Sequence, residues 1–211
     1  MSSEGERRSL AERETVFLVD DDRDVRLALE GLLRSVHLTV ETFASVEAFL
    51  ASGRVDAPGC LVLDVRLAGR SGLAFQAELV ENGSRMPIVF VSGHADVAMA
   101  VRAMKLGAAD FLTKPLRPQE LIEAIHATLA TDRRRRALEA AARSQQVAFM
   151  SLSPREREVL ALVASGLTNR EAAARLGIIE ATVKAHRGQI MKKLGVTTFA
   201  ALIRRAVELG L

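Results

Sequence analysis

One cysteine in 211 residues, Cys60, excludes an internal disulfide and fits a reducing compartment. Its place in the apolar run CLVLD makes it core filler rather than a nucleophile. Four scattered histidines complete no zinc-ligand spacing. No apolar run approaches the roughly 18 residues that a membrane span requires, so the chain reads as soluble, with no membrane partner and a cytoplasmic location expected. The leading MSSEGERRSLAER lacks an apolar stretch behind Arg7 and Arg8; residues 1–13 read as a disordered leader rather than a secretory signal.

Net charge is scarce overall, at +3, but unevenly spread. Residues 1–130 carry 14 basic and 19 acidic side chains, while residues 131–211 carry 15 and 7. The first part is therefore acidic and the second basic, as two domains with different partners would be. A basic domain suits nucleic acid, although a basic face is often merely solvated.

In the first part, apolar runs of strand length alternate with helical patterns. TVFLV (15–19), LTVETF (38–43), CLVLD (60–64), PIVFV (87–91) and DFLT (110–113) each precede a segment of helical periodicity. Five such units predict a doubly wound α/β fold with a five-stranded parallel sheet covered on both faces. Ligands in such sheets collect beyond the carboxyl ends of the strands. That rule explains why CLVLD ends in a carboxylate, since Asp64 emerges at the rim. Asp20, Asp21 and Asp22 follow the first strand, Ser92 the fourth, and Lys114 with Pro115 the fifth.

Clustered carboxylates either raise a pKa or hold a hard cation, and oxygen donors suit Mg²⁺. Beside such a cation Asp64 becomes a nucleophile toward phosphorus. Ser92 then donates to one phosphoryl oxygen, and Lys114 bridges another. Each residue alone has a plainer reading: Asp22 and Asp24 cap the next helix, Ser92 sits in a turn, and Lys114 lies on the surface. Their joint placement at strand ends favours the phosphoacceptor. Phosphatases that use a strand-end aspartate carry a second aspartate two positions later as acid and base. Arg66 stands there instead, so no enzymatic turnover is expected beyond slow self-dephosphorylation.

VFLVDDD, CLVLDVRLAGRSGL and IVFVSGHADVAMAVRAMKLGAADFLTKP resemble the receiver domain of two-component response regulators, a flavodoxin-like fold, in wording nearest the FixJ-like branch. The resemblance implies that Asp64 accepts phosphate from a sensor histidine kinase. It implies that Asp20, Asp21, Asp64 and the carbonyl of Arg66 hold Mg²⁺, and that Ser92 and Phe111 are the switch pair. Phe111 could equally be plain core. It also implies a homodimer in the phosphorylated state, through the face of the fourth helix, fifth strand and fifth helix. Ala68 departs from a common proline and predicts a looser loop; Ala98 is a second such departure.

Residues 119–150 contain neither glycine nor proline and are rich in Ala, Glu, Leu and Arg, which predicts a long connecting helix. Arg133 to Arg136 read as a solvated turn in preference to a DNA grip, and His126 as a packed residue. Beyond it, Ser153, Pro154 and Glu156 spell a capping box. Glycines at 166, 177 and 195 separate four short helices, the middle pair reading as helix-turn-helix. LSPREREVLALVASGLTNREAAARLGI and ATVKAHRGQIMKKLGV resemble the LuxR-type DNA-binding domain. That resemblance implies double-stranded DNA and RNA polymerase as partners. It makes Lys184 and Arg187 the foremost contacts to bases or phosphates, with Thr182 and His186 beside the backbone and Asn169 and Arg170 as phosphate anchors. Ile179 stands where serine usually caps the recognition helix. The expected layout is a receiver at 14–130, a helical linker at 131–149 and a DNA-binding domain at 150–211.

Overall fold

The computed structural model describes residues 13–93 and 97–209, so the leader apart from Arg13, and His94 to Asp96 of the GHAD stretch, lie outside the described residues. The chain divides into two compact units, Met1–Arg136 and Ala137–Leu211.

The first unit holds β1 (Thr15–Val19), α1 (Arg23–Ser35), β2 (Val40–Phe43), α2 (Val46–Ala51) and β3 (Gly59–Asp64). It continues with β4 (Arg66–Leu67), β5 (Arg70–Ser71), α3 (Gly72–Glu81), β6 (Ile88–Ser92), α4 (Val97–Lys105), β7 (Asp110–Thr113) and the start of α5 (Pro118–Met150). Strands β2, β1, β3, β6 and β7 lie in that order, all parallel. The doubly wound fold is as the alternation predicts. Side chains alternate across the pleat: Phe17, Val19, Leu61, Leu63 and Phe90 enter one core, while Val16, Leu18, Val62, Val89 and Val91 enter the other. Burial on both faces is what permits continuous apolar strands. Because the order reverses between β1 and β3, the carboxyl ends of these two strands flank the crevice.

Local chemistry sets the helix ends. Asp22 caps α1, its carboxylate accepting from the amides of Asp24 and Val25, as its spacing predicts. At the other end His37 takes φ +63, a conformation its side chain disfavours. The buried face of α5 comprises Leu121, Ala124, Ile125, Thr128, Leu129 and Asp132. His126 is exposed, contrary to its expected packing, because it lies one position beyond that stripe. The arginine run is also more than a solvated turn. Arg133 forms two hydrogen bonds to Glu14 at 2.7 and 2.6 Å, and Arg135 pairs with Asp132. Arg136 reaches both Asp132, at 2.6 Å, and the carbonyl of Ala57, at 2.7 Å.

The second unit contains the rest of α5 and four short helices: α6 (Pro154–Ala164), α7 (Asn169–Leu176), α8 (Glu180–Lys193) and α9 (Phe199–Glu208). Ser153 with Glu156, and Thr168 with Glu171, form capping boxes that start α6 and α7. Gly177 ends α7 at φ +65, making the tight turn into α8. Val159, Leu160, Val163, Ala172, Val183, Ile190, Leu202 and Ala206 form one core.

Glu156 joins the first of these helices to the third. It is buried, and its Oε2 accepts from Lys193 Nζ at 2.6 Å and from the Ser153 amide at 2.7 Å. The Lys193 hydrogen bond, followed by the Ser153 amide, holds its carboxyl below the ordinary value of 4.5. Its contribution is therefore complete above that value and disappears as pH falls through the lower, folded-state pKa. Glu156→Gln is expected to lower unfolding free energy by about 1–2 kcal/mol at neutral pH. In calorimetry the gap between variant and parent should close as the pH drops below about 4.5.

Candidate functional site

The strand ends bring the expected residues to one rim. Asp20 follows β1, Asp64 ends β3, Ser92 ends β6 and Lys114 follows β7. Lys114 Nζ donates to Asp64 Oδ2 at 2.6 Å and to Asp20 Oδ2 at 2.9 Å, so one ammonium joins two acids from separate strands. The backbone holds the other carboxylate oxygens. The Arg66 amide donates to Asp64 Oδ1 at 2.8 Å, and the Asp22 amide to Asp20 Oδ1 at 2.9 Å. Arg26 meanwhile donates to the main-chain oxygen of Asp20 at 2.6 Å.

Burial and charge pull against each other here. Desolvation pushes the Asp20 carboxyl above its usual range, partly opposed by the hydrogen bond from Lys114. For Lys114, burial works to lower the pKa, but the bonds to Asp64 and Asp20 reverse this and leave it raised. Two aspartates thus share one cation, a balance that a further positive charge would improve.

Asp21 is exposed, and its Oδ2 accepts from the Ala68 amide at 3.0 Å. Leu67 pairs with Arg70 across the β4–β5 hairpin, leaving Ala68 and Gly69 as a two-residue turn with Gly69 at φ +83. The segment after Asp64 is therefore not the looser loop expected from Ala68. A proline has no amide hydrogen, whereas Ala68 uses its own to tie the turn to Asp21.

Among the described residues, no three His, Cys, Asp or Glu side chains are gathered closely enough to hold a metal ion. The donor chemistry nevertheless fits one: Asp20, Asp21 and Asp64 supply only hard oxygens, each with a lone pair beyond its hydrogen bond. Ser92 is 1% exposed, in register with Thr113, and its carbonyl accepts from the Lys114 amide at 2.8 Å. Phe111 is half-buried with its ring 6.0 Å from that of Phe90.

One residue of this rim escaped the sequence reading. Gly72 opens α3 against the end of β3, where an added Cβ would stand 2.5 Å from the carbonyl oxygen of Asp64. Its only signal was a second glycine close behind Gly69.

In the second unit, Lys184 and Arg170 are exposed, and Thr182, His186 and Asn169 are half-buried. Ala181, Lys184, Ala185, Gly188 and Lys192 make an outward stripe on α8, whose small members let backbone approach closely. Arg187 departs from expectation. It is half-buried, donates to Asn169 Oδ1 at 2.6 Å and lies 4.3 Å from the centre of the Phe199 ring. The reason lies in helical spacing, because Arg187 shares the inward face of Val183, Ile190 and Leu194. Ile179 precedes α8 with no side-chain cap and is 70% exposed.

The response regulator receiver domain model matches residues 16–126, and the model for bacterial regulatory proteins of the luxR family matches residues 150–206. The chain is 48% identical over 196 residues to Nodulation protein W of Bradyrhizobium diazoefficiens, covering 93% of this chain and 86% of that one. It is 40% identical to the transcriptional regulatory protein FixJ of Azorhizobium caulinodans, covering 92% of each. Among solved structures, the response regulator StyR superposes with a TM-score of 0.88 at 44% identity, over 93% of this chain and 99% of that one. This chain is a response regulator with a LuxR-type DNA-binding domain. No helix among its described residues is long and apolar enough to cross a membrane.

Two substitutions probe this response regulator's scaffold. Gly72→Ala should lower the melting temperature, by the equivalent of about 1–3 kcal/mol, because the new methyl group meets backbone that cannot yield freely. Ile179→Ser should raise the stability of the DNA-binding domain by about 1 kcal/mol in chemical denaturation, since the exposed isoleucine gives up little burial while serine caps α8.

Proposed function

We propose that Asp64 is the phosphoacceptor of a transcription factor switched by a sensor histidine kinase. The observation that carries this reading is the double hydrogen bond of Lys114 to Asp64 and Asp20. It puts a mobile cation next to the nucleophilic oxygens. During transfer, an Asp64 oxygen bonds to phosphorus while the bond from phosphorus to the donor histidine nitrogen breaks. Lys114 then shifts charge from the carboxylates to the incoming phosphoryl oxygens, and Ser92 donates a hydrogen bond to another of them.

Asp20, Asp21, Asp64 and the main-chain carbonyl of Arg66 would hold Mg²⁺. When bound, that ion neutralises charge on the transferring group. Arg26 and the Asp22 amide keep Asp20 oriented, and the Ala68 amide does the same for Asp21. With arginine at position 66 no acid is available there to activate water, so the phosphoryl group persists as a signal rather than turning over as in an enzyme.

The movement of Ser92 toward the phosphoryl group makes room that Phe111 fills, remodelling the face built by α4, β7 and α5. Two phosphorylated copies pair through that face, and the homodimer engages double-stranded DNA in the cytoplasm and RNA polymerase beside it. Lys184 meets the major groove with Thr182 and His186 beside the backbone, while Arg170 anchors phosphate. In this reading residues 14–130 form the receiver, 131–149 the helical linker and 150–211 the output domain, with residues 1–13 as leader.

Incubation with acetyl phosphate and Mg²⁺, followed by intact mass measurement, tests the proposal. The parent chain should gain one phosphoryl group and Asp64→Asn none, and only the parent should then shift toward dimer in sedimentation. A phosphorylated D64N chain, or normal phosphate-dependent dimerisation by it, would defeat the reading.

A further inference from the structure

We infer that Arg187 is a positioning residue: clamped between Asn169 and Phe199, it sets the recognition helix against the scaffold helix rather than touching DNA. The inference rests on the DNA-binding role of the second unit and reassigns one residue within it. Three independent features carry it.

The first is direction. Val183, Arg187, Ile190 and Leu194 recur at intervals of four, three and four, which is the spacing of a single helix face. Val183 and Ile190 are fully buried and Leu194 nearly so. Arg187 therefore occupies an inward position, while Lys184 and Lys192 belong to the exposed stripe.

The second is occupancy. The Arg187 guanidinium donates from an Nη atom to Asn169 Oδ1 at 2.6 Å, in the first turn of α7. Its carbon lies 4.3 Å from the centroid of the Phe199 ring, in the first turn of α9. A planar cation held against one ring and bonded to one amide has little freedom to reach outward. Asn169, expected as a phosphate anchor with Arg170, accepts this bond through its oxygen and keeps its amide N–H groups for a phosphate.

The third is desolvation. Arg187 Nε is buried and has no hydrogen-bond partner. A group placed to bind phosphate in water keeps its donors wet, whereas this one has given up solvent to pack. Val163, Leu167 and Ile203 line the same cleft. The clamp thus ties α8 to the starts of α7 and α9 at once, and the direction in which Lys184 projects depends on it.

The test measures binding of the full-length chain, after incubation with acetyl phosphate and Mg²⁺ and across a series of salt concentrations, to a duplex selected from a random-sequence pool by the unsubstituted protein treated likewise. Lys184→Ala serves as the contact control, and it should flatten the slope of log affinity against log salt by about 1. Arg187→Ala should weaken binding by roughly 10-fold while leaving that slope and the selected base preference unchanged. Phe199→Ala, which removes no charge, should reproduce the loss at an unchanged slope. Combining F199A with R187A should add little, because both break one unit. Asn169→Ala removes the acceptor at a helix start but no charge, and its milder loss at constant slope is expected even if R187A proves unfolded. Arg187→Lys should not rescue, since lysine cannot stack and bond at once.

A reduced salt slope in R187A, or relaxed preference at one base position, would make Arg187 a contact and overturn the clamp. So would unchanged binding by F199A or N169A. Salt-independent binding by the parent chain and K184A alike would instead count against the DNA reading itself.

Discussion

One ammonium shared by two buried carboxylates governs the receiver. Lys114 arrives from the end of β7, Asp20 from β1 and Asp64 from β3, so their meeting requires the strand order to be right. Removing a partner from such a group leaves charge buried without compensation, which costs more than an exposed pair could ever contribute. The same arrangement is poised for chemistry. Its negative charge is only partly neutralised, and its cation sits next to the oxygen that would attack phosphorus. A stable resting state and a reactive one therefore use the same three side chains.

Around that core, backbone amides do the orienting. Arg66 fixes one Asp64 oxygen, Asp22 fixes one of Asp20, and Ala68 fixes one of Asp21. Each amide directly follows or faces a strand end of the five-stranded sheet, where main-chain groups are not consumed by that sheet. That is why the chemistry gathers at the carboxyl rim, and why Gly72 must lack a side chain: the chain passes too close behind Asp64 to admit one.

The fold and the rim were largely legible before any coordinates. Alternating strands and helices identified the parallel sheet, and the rule about strand ends selected Asp20, Asp64, Ser92 and Lys114. What escaped was decided by partners distant in sequence. Nothing near Arg133 announces Glu14, and nothing near Ala68 announces Asp21. Arg187 is a different case. Its inward spacing was available from Val183 and Ile190, but a charged residue on a recognition helix invites an outward reading. His37 carried no signal for its left-handed backbone, since other helices of the chain are closed by glycine there.

The output domain gains a constraint from these internal pairings. Of the cations on α8, Arg187 is held by Asn169 and Phe199, and Lys193 by Glu156 and the carbonyl of Ser151. Lys184 and Lys192 remain on the outward stripe, eight residues and roughly 12 Å apart along the helix axis. Each phosphate neutralised contributes about 0.9 to the salt slope, so one recognition helix offers a modest electrostatic grip. A second copy held at high effective concentration multiplies that grip without any new contact. Under the proposed dimerisation, committing two cations to internal contacts would make binding depend on pairing. The proposed switch would need that dependence, because a domain that bound tightly alone would ignore phosphorylation of Asp64.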